Sequence, residues 1–244
     1  MGNYATMKRA PTVFTLKREL RRAANPERVR TLTWFKTGKG GYAEHDRFIG
    51  VSVPTLRAIA AKYHDLKLAE IEALLASRIH EYRYAGLLIL VAWYEDGDGG
   101  TRQKVFDFYL KHTHYINNWD LVDTSAPCIV GEHLVSRSRR ALYRLADSAD
   151  LWNRRIAMVA TSAFIQRGDL KDTFAIAKRL LADKHDLIHK ATGWMLREAG
   201  EHSRAKMIDF LNRNYAQMPR TALRYAIEHL PEVQRKRSLK GLFR

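Results

Sequence analysis

Apolar positions in this chain recur at helical spacing from about residue 12 to residue 230, and no stretch shows the strict alternation of a half-buried strand. Leu56, Ile59, Ala60 and Tyr63, for example, fall on one helix face behind the opening Val53-Pro54. The pattern predicts helices over about 12–24, 26–36, from 53 onward, 67–77, 80–95, 101–112, 117–134, 138–147, 150–167, 170–183, 186–199, 203–214 and 219–230. Pro26 and Pro219 sit at helix starts, where a missing N–H and a fixed φ are tolerated. Two breaks stand out, GKGGYAEHDRFIG (38–50) and DGDGG (96–100). Residues 1–11 are polar and basic and are expected to be disordered, 12–232 to form a single repeat domain, and 233–244 to be a basic C-terminal tail.

The helices echo one another. Segments 75–91 (LASRIHEYRYAGLLILV), 145–161 (LADSADLWNRRIAMVAT) and 181–198 (LADKHDLIHKATGWMLRE) each begin Leu-Ala, pass through a polar stretch suited to capping, and continue as a long apolar helix. With a fourth segment they register at Arg83, Trp119, Arg155 and His189, in steps of 36, 36 and 34 residues. Such a period is the signature of stacked helix pairs. The expected fold is therefore all-α, a right-handed solenoid of about six HEAT-like antiparallel pairs, with the registered polar and aromatic positions lining a concave, basic face.

Composition narrows the function. Lys and Arg number 42 against 26 Asp and Glu, a formal charge of +16, and arginines cluster at 18/21/22 and 137/139/140/144. That excess favours a polyanionic partner, because neutralising phosphates releases counterions. The single cysteine, Cys128, excludes an internal disulfide and a Cys-based zinc site and fits a reducing, cytoplasmic setting. No apolar run reaches the roughly 20 residues a bilayer requires, and no secretory signal pattern opens the chain. The opening Met1-Gly2-Asn3-Tyr4-Ala5-Thr6 matches only the loose myristoylation pattern. Phosphate-binding loops, dinucleotide fingerprints and HExxH are absent; His185 and His189, at i and i+4, make a weak metal pair, and neither a metal nor a cofactor is expected.

The segment Tyr115 to Asp123 (YINNWDLVD) is the most unusual. Asn117 or Asn118 caps a helix, and Trp119 and Asp123 share a face one turn apart. A lone tryptophan is most often core, but this one occupies a slot that is cationic or imidazole in the other repeats. A carboxylate one turn away argues the same, since burying an unpaired charge is expensive. Arg155, three residues after Trp152, reads as a phosphate clamp, as an internal ion pair with Asp123, or as both. His189 and Lys190 read as phosphate contacts, and Trp194 as either packing or a third site aromatic.

Taken together, FKTGKGGYAEHDRFIGVSVPTLR (35–57), HEYRYAGLLILV (80–91), NNWDLVD (117–123), LWNRRIAMVAT (151–161), HDLIHKATGWMLRE (185–198) and MPRTALRYAIE (218–228) resemble the AlkD-like DNA alkylation repair glycosylases over about residues 14–230. The resemblance implies hydrolysis of the N-glycosidic bond of cationic N3- and N7-alkylated purines in double-stranded DNA, without metal or cofactor, by a monomer at the bacterial nucleoid. It implies a catalytic cluster of Asp123, Trp119, Arg155 and Trp194, with DNA contacted by Arg83, Arg154, His189, Lys190, Arg197, Arg220 and Arg224. Asp186 departs from the family pattern, which has an aromatic there, and this bears on substrate preference. The alternative is a non-catalytic HEAT-like module that binds nucleic acid or protein; it would tolerate dispersal of the four residues.

Overall fold

Helix starts along this chain are written in short polar side chains. In the computed structural model, which describes residues 12–243, Thr12, Asn25, Ser52, Asp98, Asn118, Asp150 and Ser203 each accept a hydrogen bond from a backbone N–H of the helix they precede. The disorder expected for 1–11 lies outside the described residues. Those described are all-helical, without a strand; Arg47 and Ile79 form one isolated bridge.

The chain divides into two units, one up to Asp96 and one from Gly97. The first contains α1 (Val13–Arg22), α2 (Pro26–Thr31), α3 (Val53–Ala60), α4 (Leu68–Leu75) and α5 (His80–Asp96). The helix expected over 26–36 is shorter, giving way to a 3-10 turn (Thr33–Phe35) that ends at Lys36 in the left-handed region, φ 52°. α5 is apolar all round and is buried along most of its length against α3 and α4. The polar loop that follows Lys36 is fastened to α5. Glu81 accepts the N–H groups of Ile49 and Gly50. Asp46 accepts from Arg83 at 2.6 Å, and Phe48 stacks on His80 at 4.5 Å.

The second unit runs through α6 (Gly99–Lys111), α7 (Trp119–Ala126), α8 (Glu132–Leu134), α9 (Arg140–Ala146), α10 (Leu151–Ala160), α11 (Ser162–Ile165), α12 (Lys171–Leu180), α13 (Asp186–His202), α14 (Arg204–Asn214), α15 (Arg220–Ala226) and α16 (Glu232–Ser238). The helix expected over 117–134 is interrupted at Pro127, whose missing N–H and ring displace the ladder into a π turn, Pro127–Gly131. The basic stretch after Pro231 forms α16.

Within this unit α10 packs on α7, α9 and α13, and α13 packs on α12, α14 and α15. Its core is Ile156, Met158, Val159, Phe164, Ile188, Met195 and Leu196, all 0% exposed. Two glycines set how closely helices approach. A Cβ on Gly131 would meet the Ala160 carbonyl at 2.4 Å, and one on Gly193 would meet the Ala222 carbonyl at 2.4 Å. Ion pairs link residues about one repeat apart: Arg155–Asp123, Arg154–Asp183, Arg167–Glu132, Arg179–Asp147, Arg139–Asp172 and Arg197–Glu228, at separations of 29 to 35 residues. These bonds tie together segments that are far apart in the sequence, Asp123 on α7 with Arg155 on α10 among them.

Candidate active site

Asn118, itself fully buried, starts α7 by accepting the Trp119 N–H at 2.8 Å. That cap fixes the first turn, so Trp119 and Asp123 project from the same face one turn apart. Both are half-buried. α10 begins at Asp150, which accepts the N–H groups of Trp152 and Asn153. The next turn carries Arg155, 5% exposed, toward α7. Its Nε donates to Asp123 Oδ1 at 2.9 Å and its Nη2 to Oδ2 at 2.7 Å, a two-pronged pair matched to the carboxylate plane. Its Nη1 donates to the Leu187 carbonyl at 2.7 Å, in the first turn of α13. One guanidinium therefore ties three helices together, and its remaining N–H groups are left for another acceptor.

Two opposed effects act on Asp123. Burial pushes its carboxyl above the ordinary value of 3.8, and the charge and hydrogen bonds of Arg155 work against that rise. The net direction is upward, as expected for a carboxylate whose side chain is only 19% exposed. An anion held in such a place keeps a stronger field than one in water.

Trp194 lies two turns beyond Leu187 on α13, so the two positions share a face. It is half-buried, and its indole N–H donates to Glu198 Oε1 at 3.1 Å. Glu198 also accepts from Arg197, whose other partner is Glu228 on the chain after α15. Gly193, immediately before Trp194, lets α13 lie against Ala222 and Tyr225. Trp152, by contrast, is 7% exposed and belongs to the core.

The remaining expected site residues fall into two groups. Arg83, in the first unit, is 3% exposed and closed into Asp46 and the Ser77 carbonyl. Arg154 is held by Asp183 and the carbonyls of Ser148 and Ala149. His189 bonds the Asp183 carbonyl at 2.6 Å, and Lys190 pairs with Asp186 at 2.9 Å. Arg220 and Arg224 are exposed; Arg220 donates to Tyr215 Oη and to the Leu239 carbonyl.

Three residues that sequence reasoning did not single out also shape the site. Leu187 contributes only its carbonyl and leaves no signal in sequence. Glu198, four residues after Trp194, has a helical-spacing signal. Asp183 organises the entry to α13 by bonding the N–H of His185 as well as Arg154. His185 in turn caps α13 by accepting the Leu187 N–H, and burial lowers its pKa toward the neutral form that this bond needs. Among the described residues no cluster of His, Cys, Asp or Glu is placed to hold a metal ion, and no helix is long and apolar enough to cross a membrane.

The model of a family described as DNA alkylation repair enzyme matches residues 16–230. The fold is similar to a solved structure titled a predicted DNA alkylation repair enzyme from Enterococcus faecalis: TM-score 0.65, 17% identity, covering 86% of this chain and 97% of that one. No curated protein matches the chain.

Proposed function

As a member of the DNA alkylation repair enzyme family, this chain acts, we propose, as a monofunctional glycosylase that hydrolyses the N-glycosidic bond of cationic N3- and N7-alkylated purines in duplex DNA. The observation that carries this reading is the Asp123 carboxylate, partly buried and gripped at both oxygens by Arg155, one turn from a half-exposed Trp119. Repeat-spaced ion pairs and close helix packing support the accompanying reading of the second unit as stacked HEAT-like pairs.

The chemistry asks little of the protein. Many glycosidases carry two carboxylates, one of them to protonate a poor leaving group. A purine alkylated at N3 or N7 already bears the positive charge and departs as a neutral base. One carboxylate is then enough. Asp123 stabilises the positive charge that develops on the sugar and orients the attacking water. Arg155 holds that carboxylate in place. Trp119 and Trp194 offer electron-rich faces to the same developing cation, an attraction of about 0.5–2 kcal/mol per ring. Their indoles also keep bulk water from screening the carboxylate. Exposed Arg220 and Arg224 are the simplest phosphate contacts. Arg154 and Arg197 contribute to DNA binding by fastening α13 to its neighbours through Asp183 and Glu228, and Arg83 by fastening the loop at Asp46 within the first unit.

A two-pronged pair would equally suit a purely structural bracket in a non-catalytic binding module. Methylated duplex DNA decides between them. The glycosylase reading expects release of 3-methyladenine or 7-methylguanine by the wild type, loss of release in Asp123→Asn, and DNA affinity that is unchanged or raised. Undiminished release by Asp123→Asn removes the carboxylate from the reaction; no release by the wild type leaves the binding module.

A further inference from the structure

The C-terminal turn of the second unit builds a hollow that the proposed reaction does not use. α16 ends where Gly241, at φ 80°, reverses the chain, and the N–H of Leu242 returns to the Arg237 carbonyl. Only glycine fits there: a Cβ would lie 2.8 Å from the Tyr215 ring. Tyr215 fastens the turn from the other side, through its hydroxyl to the Leu239 carbonyl at 3.0 Å and an edge contact with Phe243 at 5.6 Å. The reversed end lies across from α14 and encloses a hollow of about 570 Å³.

Its lining is mixed in a specific way. Ile208, Val233, Leu242 and Phe243 make the lining apolar, while Arg204, on α14, and Arg237, on α16, add positive charge to it. Val233 is 72% and Leu242 54% exposed, far more than ordinary for such side chains.

We infer that this hollow is a docking site for an acidic peptide segment of a partner protein, one bearing an aromatic or large aliphatic side chain among its carboxylates. The apolar interior takes the side chain, and the arginines pair with the flanking acids. A nucleic-acid backbone matches less well: its phosphates would find the arginines, but nothing apolar would fill the interior. The turn is fixed before the partner arrives, so little ordering is needed on this side of the interface.

The test uses the whole chain and a short fluorescent peptide of Asp and Glu with two central phenylalanines. Fluorescence anisotropy is expected to show saturable binding that weakens about tenfold when the phenylalanines become alanine, and by a similar factor in Val233→Glu or Arg204→Glu. Both positions are exposed, so neither substitution should disturb folding. Base release from methylated duplex and affinity for duplex DNA are expected to stay at wild-type levels in Val233→Glu. Equal binding of the peptide without phenylalanine would reduce the site to bulk charge and overturn the inference. A loss of duplex affinity in Val233→Glu, with the peptide unaffected, would assign the hollow to nucleic acid instead.

Discussion

Arg155 grips Asp123 with two parallel hydrogen bonds, at 2.9 and 2.7 Å, across a gap of 32 residues in sequence. The same guanidinium reaches the Leu187 carbonyl. Lysine carries the charge but lacks the planar fork that meets both carboxylate oxygens while also reaching the Leu187 carbonyl. Arg155→Lys is therefore expected to lose most base release while DNA affinity falls only slightly. Arg155→Ala leaves a partly buried carboxylate unpaired and is expected to lower stability by about 3 kcal/mol. Chemical denaturation alongside release assays checks both. Full activity in Arg155→Lys would show that charge alone suffices and that the fork is incidental.

The pH profile follows from the same pair. The proposed reaction needs Asp123 ionised, whereas burial favours its protonated form. Its folded pKa is raised, so activity is lost as pH falls through a value above the ordinary 3.8 rather than at it. Arg155 opposes the rise, so Arg155→Lys, which removes two hydrogen bonds to the carboxylate, should move the acid limb of kcat/KM further upward. Release must be corrected for spontaneous depurination. An acid limb at the ordinary carboxylate value, unmoved by Arg155→Lys, would count against Asp123 as the acting group.

Much of this was readable in the chain. Asn25-Pro26 and the Asn117-Asn118 pair mark helix starts through chemistry confined to three or four residues, and the observed helices begin there, the second behind Asn118. The Asp123–Arg155 pair was among the readings open from sequence, and the two residues do meet. What escaped depends on partners a repeat away. Arg83 shares its register with Arg155, and each is drawn inside by an aspartate earlier in the chain, Asp46 and Asp123, to 3% and 5% exposure. Trp152 and Trp194 look alike in sequence; only packing decides that the first is core and the second half-exposed. Pro127, within an otherwise continuous helical pattern, yields a π turn that periodicity does not report.

Arg83 and Arg224 should behave oppositely on substitution. Arg224 is exposed, and Arg224→Ala is expected to change stability by less than about 0.5 kcal/mol. As a phosphate contact it should weaken duplex binding across sequences and reduce the salt slope by about one. Arg83→Ala takes the guanidinium away from the buried Asp46 carboxylate, whose side chain is 3% exposed and which His80 also faces at 3.3 Å, and should lower stability by about 3 kcal/mol. Affinity measured over a salt series, with thermal unfolding of the same variants, separates the two. A wild-type salt slope in Arg224→Ala would remove that residue from the interface.

Gly193 controls where Trp194 sits. A methyl at this position would lie 2.4 Å from the Ala222 carbonyl and 2.5 Å from the Tyr225 Cβ, both on α15. Neither is the free end of a flexible side chain, so α13 and α15 must move apart to admit it. Overpacking of this kind costs about 1–3 kcal/mol. Gly193→Ala is expected to fall in that range and, because Trp194 is the next residue, to reduce base release more than the stability loss alone explains. Assaying well below the melting temperature isolates the second effect. Trp194→Phe is the comparison, since it removes the hydrogen bond to Glu198 without touching the helix contact. If Gly193→Ala lost stability yet kept full release while Trp194→Phe did the same, the α13 tryptophan would be packing rather than part of the active surface.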